Sequence, residues 1–476
     1  MFTTETKNFI QDKIINSQLV DHYIKEMQQI NNIFLQKYGN KPRAFVVTHG
    51  CQMNARDSET ISGMLLLMGY DLTEDEDSAN MVIFNTCCVR ENAENKLYGN
   101  LGSFKAKKSK DKNFKIVICG CMMQQDIVVD KIKESYNYVD LIFGTHNIYR
   151  FPELLYSHYD TDSMIIDIWK DAGEIVEDLP SLREFPHKSG VNIMYGCDNY
   201  CTFCIVPYVR GKERSRKPED IIAEITQLAA DGVTEVMLLG QNVDSYGKGL
   251  DCDVNFAKLL HMVAKVDGIE RIRFMSSHPK DISDEVIDAL KNLDKVCKHL
   301  HLPVQSGSTH TLKWMNRGYT KESYLSLTQR VRAAVPNISL TTDIIVGFPG
   351  ETEEDFLQTM QLIKEVRYSG VFTFIYSIRH GTPAAKMPNQ IDEAIIKERF
   401  NRLLPAINEI LYEINQEKLG QILEVIPESI GKYGVLTGRA NDNSLVHFPG
   451  DKSFLSKTIN VKIKEARTFY LSGEMV

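Results

Sequence analysis

The chain has 476 residues, more than one hydrophobic core usually supports, so two or three domains are expected. Its content of 43% apolar and 25% charged residues excludes disorder of the whole chain, and no apolar run reaches the roughly 18 residues of a membrane helix. Ten cysteines are too few for a disulfide scaffold, and a net charge of -8 argues against nonspecific wrapping of nucleic acid. Because residues 1–11 show no signal-peptide pattern, we expect a cytoplasmic protein.

The first predicted element is a helical extension over residues 1–40, where apolar residues such as Ile10, Ile14, Tyr23 and Met27 recur at helical spacing. From residue 41 onward, short β-rich runs alternate with helical stretches, as is typical of parallel βαβ units. The predicted strands are Ala44–Val47, Met81–Asn85, Lys115–Ile118 and Leu141–Phe143. We therefore predict a doubly wound parallel α/β domain over residues 41–158.

Three cysteines of this domain, Cys51, Cys87 and Cys121, lie just beyond successive predicted strands. Open parallel sheets place their ligand sites outside the carboxyl ends of the strands, so these cysteines are expected to converge. Buried, inert thiols are the alternative for any one of them. Cys88 and Cys119 lie so close in sequence that spacing alone does not choose between them and the neighbouring cysteines.

A polar linker is predicted over residues 159–188, and a second alternation of strands and helices begins at Val191. Six βα repeats predict a partial (β/α)6 barrel over residues 189–412, which is less than the closed eight-stranded form. The predicted strands are Val191–Met194, Glu235–Leu239, Arg271–Met275, His299–Val304, Leu340–Val346 and Phe372–Ser377.

The last predicted domain covers residues 413–476, where short strands are broken by residues such as Gly431, Asn443 and Gly450. This pattern predicts a small antiparallel β-barrel, an architecture that often binds RNA. The chain as a whole is thus predicted to be a multidomain α/β protein.

The most informative motif is the loop after the first strand of the partial barrel, which carries Cys197, Cys201 and Cys204. A cubane iron–sulfur cluster has four irons, so three thiolates leave one iron open for a substrate amine and carboxylate. That arrangement lets a reduced cluster cleave S-adenosylmethionine to a 5′-deoxyadenosyl radical. A structural zinc site would need a fourth ligand, and none lies at a convincing spacing.

Polar turns follow the other strands of the predicted barrel, at the end where such barrels bind their ligands. Small and amide side chains there are predicted to bind S-adenosylmethionine, although each could also be an ordinary turn. Phe203 is predicted to cover the cluster or adenine, with a core aromatic as the alternative. The predicted cofactor residues are Phe203, Gln241, Asn242, Ser276, Gln305, Ser306 and Gly347.

Taken together, the cysteine loop, the three strand-end cysteines and the C-terminal barrel resemble the methylthiotransferase family of radical S-adenosylmethionine enzymes. The resemblance begins near Lys41 and continues to the end of the chain. It implies two [4Fe-4S] clusters, one held by Cys197, Cys201 and Cys204 and an auxiliary one held by Cys51, Cys87 and Cys121. It also implies that the C-terminal barrel is a TRAM domain that recognises the substrate.

Within the family, the chain is similar to the branch that methylthiolates carbon 2 of isopentenyladenosine at position 37 of tRNA. The supporting motifs are Gly50–Asn54, Asp57–Glu59, Asn85–Cys87 with Val89–Glu91, Arg210–Arg216, Thr437–Arg439 and Val446–Phe448. In the branches that act on a ribosomal-protein aspartate or on threonylcarbamoyladenosine, different residues usually follow the first cysteine, where this chain has Gln52-Met53-Asn54.

The resemblance implies that one S-adenosylmethionine gives the radical and a second gives the methyl group. Arg210, Lys212, Arg214, Arg216 and Arg439 are predicted to contact the anticodon stem-loop of tRNA. The expected electron donor is a flavodoxin or ferredoxin, and no membrane contact is expected. The alternatives are methylthiolation of another substrate and, in a different functional class, a noncatalytic iron–sulfur RNA-binding redox sensor.

Overall fold

The computed structural model describes residues 18–88, 91–173 and 175–476 and divides into two compact units. Unit 1 takes in the described residues up to Glu184 together with Gly190–Asp198 and Ile205–Arg216. Unit 2 consists of Phe185–Ser189, Asn199–Cys204 and Lys217–Val476. The cysteine loop therefore contributes to both units, and each part is described with the unit to which it belongs.

Unit 1 is built on a six-stranded parallel sheet in the order β2-β1-β3-β4-β5-β6, which confirms the predicted α/β class. All residues of β3 and β4 are buried, because helices cover both faces of a doubly wound sheet. The strands are β1 (Arg43–His49), β2 (Asp71–Leu72), β3 (Met81–Thr86), β4 (Lys115–Cys119), β5 (Leu141–Phe143) and β6 (Ile165–Asp167). A short antiparallel pair, β8 (Met194–Tyr195) with β9 (Arg214–Ser215), also belongs to this unit.

Among the described residues, six α-helices belong to unit 1, and the first of them corresponds to the described part of the predicted N-terminal extension. Val20, Ile24 and Met27 of this helix are buried in the same core as the sheet. The predicted helical residues Ile10 and Ile14 lie outside the described residues. The helices are α1 (Gln18–Tyr38), α2 (Gln52–Leu67), α3 (Glu91–Lys110), α4 (Asp126–Ser135), α5 (Phe151–Thr161) and α6 (Val206–Arg210).

Unit 2 contains the strands of the predicted partial barrel from the second one onward. β10 pairs with β11 in parallel, and β12, β13 and β14 form a second parallel sheet. The strands are β10 (Glu235–Leu239), β11 (Arg271–Phe274), β12 (His299–His301), β13 (Ser339–Val346) and β14 (Gly370–Ile375). β7 (Lys188–Asn192) begins in unit 2 and ends in unit 1.

The helices of unit 2 begin at side chains suited to N-caps, among them Ser283, Ser308, Thr320 and Thr352, whose oxygens accept backbone N–H groups of the first turn. The helices are α7 (Pro218–Ala230), α8 (Phe256–Ala264), α9 (Asp284–Asn292), α10 (Thr309–Trp314), α11 (Lys321–Ala334), α12 (Glu353–Val366) and α13 (Glu393–Gln416). None of the helices in the described ranges is both long enough and apolar enough to span a membrane.

The C-terminal strands close into a five-stranded barrel in the order β15-β16-β17-β19-β18. Four neighbouring pairs are antiparallel as predicted, but β17 and β19 pair in parallel through Val446 and Leu471. β17 runs in the same direction as β15, because both are antiparallel to β16. β19 also runs in that direction, because β15 and β19 are both antiparallel to β18. The strands are β15 (Ile422–Ile430), β16 (Val435–Ala440), β17 (Leu445–Pro449), β18 (Ile459–Ala466) and β19 (Leu471–Met475).

Two buried arginines of β11 hold this barrel against the parallel strands of unit 2. Arg271 donates to the carbonyl oxygens of Glu424 and Arg439, each at 3.1 Å, and to Glu424 Oε1 at 2.8 Å. Arg273 donates to the carbonyl oxygens of Ala440 at 2.9 Å and Asn441 at 3.3 Å. These two arginines thus contact the barrel mainly through its backbone, and the side chains of Glu428 and Ser456 add contacts with Lys188 and His187.

Candidate functional site

The three strand-end cysteines of unit 1 follow β1, β3 and β4, which are adjacent in the sheet. Cys87 donates a hydrogen bond to the thiol of Cys51, and Cys88 donates one to Cys121. Arg210 Nε donates to Cys121 Sγ at 2.9 Å. The structure therefore brings these cysteines together at one edge of the sheet.

Two of these cysteines directly follow a glycine, and no larger residue fits at either glycine position. Gly120, just before Cys121, has a φ of 99°, and a Cβ there would lie 2.4 Å from Asn85 Oδ1. A Cβ on Gly50, just before Cys51, would also lie 2.4 Å from Asn54 Oδ1. Both turns depend on glycine, because only glycine lets the backbone approach so closely.

A hydrogen-bonded network of polar side chains connects the turn at Cys51 to the neighbouring strand. Asn54 Oδ1 accepts from the backbone N–H of Cys51 at 3.4 Å, and its Nδ2 donates to Asn85 Oδ1 at 3.1 Å. Asn85 Nδ2 donates in turn to Ser58 Oγ at 2.9 Å. These contacts explain why the sequence has amide and hydroxyl residues around the first two cysteines: they fix the helix start relative to β3.

The environment of this group favours thiolates, the form of cysteine that binds metals. The pKa of Cys51 is lowered to about 5, first by the hydrogen bond from Cys87 and further by the nearby charge of Arg210. The pKa of Cys121 is also lowered, first by the hydrogen bond from Cys88 and then by Arg210. These thiols therefore suit an iron–sulfur cluster.

Cys119 and Cys88, the two other cysteines of unit 1 near this group, have different surroundings. Cys119 lies in β4 with its side chain in the apolar core beside Val117, and burial raises its pKa. Cys88 lies beside Cys121, and its pKa is raised first by the hydrogen bond that it donates there and then by burial. Cys119 has the environment of an inert core thiol, whereas Cys88 belongs to the cysteine group itself.

The part of the cysteine loop in unit 1 contains Gly196 and Cys197. Gly196 has a φ of 78°, and a Cβ there would lie 2.0 Å from the carbonyl oxygen of Lys212. The backbone N–H of Cys197 donates to the carbonyl oxygen of Gly211 at 3.2 Å. A glycine thus precedes this cysteine for the same steric reason as at Gly120.

The part of the loop in unit 2 is held by four consecutive residues, Trp314 to Arg317, which we call the 314–317 segment. The carbonyl oxygens of Trp314 and Met315 accept from Thr202 at 2.8 and 3.0 Å. Asn316, with a φ of 57°, donates to the carbonyl oxygens of residues 199 and 200 at 3.2 and 3.1 Å. Arg317 Nη1 donates to Cys201 Sγ at 3.2 Å.

Several predicted cofactor residues end neighbouring strands of unit 2. Ser276 and Gln305 have φ values of 68° and 71°, a left-handed conformation that is strained for residues other than glycine. Asn242 is 1% exposed, and its Nδ2 donates to Asp281 at 2.8 Å. Gln241 is half-buried after β10. Strained backbone at consecutive strand ends favours a ligand site there.

Two buried polar atoms at these strand ends, Asn242 Oδ1 and His278 Nε2, have no hydrogen-bond partner in the described part of the chain. Asp244 Oδ2 accepts from the backbone N–H of His278 at 2.9 Å, so the two residues adjoin. Burial raises the pKa of Asp244 to about 7 and lowers that of His278 to about 2. Because buried polar groups are rarely left unpaired, these atoms fit a polar ligand such as S-adenosylmethionine.

The other predicted cofactor residues, Ser306, Gly347 and Phe203, contact neighbouring residues of the chain itself. Ser306 is fully buried, and its hydroxyl accepts from the backbone N–H of Ser308 at 3.2 Å. Gly347 has a φ of 82°, and its backbone N–H donates to Glu351 at 2.9 Å. Phe203 packs beside Phe348 in a small apolar cluster, which agrees with the core alternative.

The predicted RNA-binding residues do not all lie on the protein surface. Arg210 is 5% exposed and paired with Asp57 at 2.7 Å, and Arg216 is 6% exposed and paired with Glu177. Arg214 donates to the carbonyl oxygen of Gly173, and Arg439 donates to that of Asn443 at 3.2 Å. Lys212 is exposed. Burial and carboxylate pairing hold Arg210 and Arg216 inside unit 1, so they are not available to phosphate.

Within residues 18–88, 91–173 and 175–476, no three His, Cys, Asp or Glu side chains are close enough to bind one metal ion. A cubane does not need such convergence, because each of its irons binds a separate thiolate.

Sequence reasoning missed Arg317 and Asn316 as residues of the site, and it gave Asp57 and His278 no role of their own. The turn that carries Arg317 lies between two helices and contains no motif of its own. The only sequence signal was an arginine between Asn316 and Gly318, two residue types that favour left-handed backbone. Val89 and Arg90, which support the family resemblance, lie outside the described residues.

Three family models match separate parts of the chain. The radical SAM superfamily matches residues 191–363, the uncharacterized protein family UPF0004 matches residues 43–144, and the TRAM domain matches residues 416–476. These matches fall in the order of the three predicted domains.

Two curated relatives are similar over almost their whole length, and both are called tRNA-2-methylthio-N(6)-dimethylallyladenosine synthase. The relative from Alkaliphilus oremlandii is 55% identical, with 95% of this chain and 96% of the relative covered. The relative from Lachnoclostridium phytofermentans is also 55% identical, with 92% and 96% covered. Among solved structures, the radical S-adenosylmethionine methyltransferase TsrM from Kitasatospora setae shares the fold at 12% identity, with a TM-score of 0.52 and coverage of 81% of this chain and 78% of that one.

Proposed function

The chain belongs to the family of tRNA-2-methylthio-N(6)-dimethylallyladenosine synthases, and from this premise we propose specific roles for its six site cysteines. The protein is a radical S-adenosylmethionine enzyme that adds a methylthio group to N6-isopentenyladenosine in tRNA, with [4Fe-4S] clusters as cofactors. We assign one cluster to Cys197, Cys201 and Cys204 and the auxiliary cluster to Cys51, Cys87 and Cys121. The modified atom is carbon 2 of the base at position 37.

When bound, the clusters and two molecules of S-adenosylmethionine would supply three things: the sulfur atom, the methyl group, and the radical that removes the hydrogen from carbon 2. The residues of the chain bind and orient these groups. Asn316 and Arg317 hold the backbone and one sulfur of the cysteine loop. Arg210 and the backbone N–H groups of Met53 and Asn54 lower the pKa of Cys51, and Arg210 also lowers that of Cys121.

Asn242 and His278 supply buried polar atoms suited to the amino acid or nucleoside part of S-adenosylmethionine. Gln241, Ser276 and Gln305 stay in this proposal as neighbours at the same strand ends. Phe203, Ser306 and Gly347 are assigned to shaping the turns around the site, because their contacts are internal.

RNA binding is assigned to the C-terminal barrel, which matches the TRAM domain, and to exposed Lys212. The anticodon stem-loop is the proposed ligand, because a base in a single-stranded loop leaves its stack at modest cost. A flavodoxin or ferredoxin is proposed as electron donor, and the cytoplasm as the compartment in which the enzyme meets tRNA.

The observation that carries the proposal is the presence of two separate cysteine triads, each with an arginine donating to one of its sulfurs. Iron and sulfide are counted on the chain reconstituted without oxygen, beside a variant with Cys197, Cys201 and Cys204 all changed to alanine. About eight irons falling to about four are expected for two cubanes. About four irons in the parent would contradict the assignment of an auxiliary cluster.

The substrate is tested in cells that lack the gene. Mass spectrometry of their tRNA nucleosides should show no 2-methylthio-isopentenyladenosine, and a plasmid copy should restore it. An unchanged nucleoside profile would rule out the tRNA assignment. Anaerobic incubation with S-adenosylmethionine and dithionite tests catalysis separately, because a redox sensor would release no 5′-deoxyadenosine.

A further inference from the structure

Each cysteine triad has one buried arginine that donates to a cysteine sulfur. In unit 1, Arg210 is 5% exposed, and its Nε lies 2.9 Å from Cys121 Sγ. In unit 2, Arg317 is 5% exposed, and its Nη1 lies 3.2 Å from Cys201 Sγ. An arginine stays protonated in proteins, so each triad has a permanent positive charge against one of its sulfurs.

The two arginines differ in what balances their charge. Arg210 Nη2 is paired with Asp57 Oδ2 at 2.7 Å, and Asp57 is itself buried. Arg317 donates instead to neutral oxygens, to the carbonyl of Pro303 at 2.8 Å and to the hydroxyl of Tyr319 at 3.0 Å. Among the described residues, Arg317 has no carboxylate within salt-bridge distance, and burial raises the pKa of Tyr319, so that hydroxyl stays neutral beside it.

This difference matters for electron transfer. Charges interact strongly inside a protein because the local dielectric constant is low. The reduction potential of an iron–sulfur cluster depends on the hydrogen bonds to its sulfurs and on nearby net charge. A positive charge without a counterion stabilises the added electron, whereas a neutralised arginine contributes much less.

We infer that Arg317 is a positioning residue whose uncompensated charge raises the reduction potential of the cluster at Cys197, Cys201 and Cys204. The inference rests on the proposed function, since it requires a cluster at this triad. In the step concerned, one electron passes from a low-potential donor to the cluster. No bond forms or breaks, and no proton moves, because Arg317 is protonated before and after the transfer. Arg210, neutralised by Asp57, mainly fixes the geometry of Cys121.

The test is a redox titration of the full-length protein with both clusters loaded, followed by electron paramagnetic resonance. The signal of each cluster is assigned from variants that lack the other triad. Arg317→Gln should lower the reduced-to-oxidised ratio of the radical cluster about tenfold at a fixed potential, a shift of 59 mV for a one-electron couple. The auxiliary signal should not shift. An unchanged potential of the radical cluster in a fully loaded Arg317→Gln protein would overturn the inference.

Asn316→Gly is the matched control, because it removes two hydrogen bonds to the same loop without changing charge. Its left-handed φ of 57° suits glycine. The potential should stay at the parent value in this variant, and a shift as large as that of Arg317→Gln would mean that loop geometry, not charge, sets it. Arg317→Lys should restore most of the parent potential, and it decides the question if Arg317→Gln does not retain its irons.

Asp57→Asn gives an independent test on the other triad. It removes the counterion of Arg210 and should shift the auxiliary cluster to a more positive potential without moving the radical cluster. No shift in the auxiliary potential would overturn the role assigned to charge balance. Failure of the proposed function is recognised separately, because the iron count of the parent would then fall short of two clusters before any potential is measured.

Discussion

The two cysteine triads are held in place by different kinds of structure. Cys51, Cys87 and Cys121 are far apart in sequence and are brought together by the register of three adjacent parallel strands. Cys197, Cys201 and Cys204 lie in one short loop, and the 314–317 segment holds part of that loop through its backbone. The first triad therefore depends on the sheet, whereas the second depends on a local turn.

The largest expected effects separate the two triads by the product that each variant loses. Cys201→Ala should abolish 5′-deoxyadenosine, because a cluster with two thiolates cannot hold S-adenosylmethionine in place. Cys87→Ala should still form 5′-deoxyadenosine but no methylthiolated nucleoside. Both products are measured by liquid chromatography and mass spectrometry. Cys252→Ala, an exposed cysteine outside both triads, is the control and should retain both. Full methylthiolation by Cys87→Ala would show that the two triads do not have separate roles.

The next effect compares the two arginines through stability. Asp57→Ala leaves Arg210 buried without its counterion, which should lower the free energy of unfolding by about 3–5 kcal/mol. Arg317→Gln removes an arginine that has no carboxylate partner in the described chain, so the cost should be about 1–3 kcal/mol for the oxygens left unmatched. Urea unfolding of the metal-free chain measures both.

The control for this comparison is Glu413→Ala at a surface pair, where Arg367 is 40% exposed and Glu413 is 48% exposed. The expected cost is about 0–1 kcal/mol, because water screens such a pair. If Asp57→Ala cost no more than this control, the pairing of Arg210 with Asp57 would not stabilise the fold.

Glycine substitutions should damage each triad without affecting the other. Gly120→Ala and Gly196→Ala both place a Cβ on backbone at positive φ and against a fixed oxygen, which should cost about 1–3 kcal/mol each. Gly120→Ala should lose the auxiliary irons, and Gly196→Ala should lose the radical-cluster irons, about four in each case. Gly232→Ala, also at positive φ but with open space around its Cβ, is the control for backbone strain alone. Equal iron loss in both cluster sites from either variant would contradict the separation.

The last expected effect appears only when the pH is changed, and it concerns a buried carboxyl at the strand ends of unit 2. The pKa of Asp244 is raised to about 7 by burial, against about 3.9 in an unfolded chain. The folded chain therefore keeps a proton that the unfolded chain releases, and stability falls as pH rises from about 4 to about 7. Asp244→Asn should remove this loss, so its unfolding midpoint in urea should exceed that of the parent at pH 8 and match it at pH 4. A difference that is the same at both pH values would contradict the raised pKa.

The sequence predicted the parts of the site that follow from local spacing and strand alternation. The Cys197–Cys204 loop is a contiguous pattern, and the strand-end cysteines follow from predicting β1, β3 and β4 correctly. The role of Arg210 was not predictable, because a basic run looks the same whether its side chains face solvent or pair with a carboxylate 153 residues away in sequence. Arg317 was missed for the same reason, since its contact with Cys201 crosses 116 residues. The parallel pairing of β17 with β19 also depends on how the barrel closes, which strand patterns do not specify.

The seating of the C-terminal barrel has a consequence for how this enzyme can diverge. Four of the five hydrogen bonds from Arg271 and Arg273 end on backbone carbonyls, which every residue type supplies. Substitutions of barrel side chains that keep the backbone in place therefore preserve these four hydrogen bonds. Side chains on the barrel surface can therefore change in evolution while these backbone contacts with β11 stay the same.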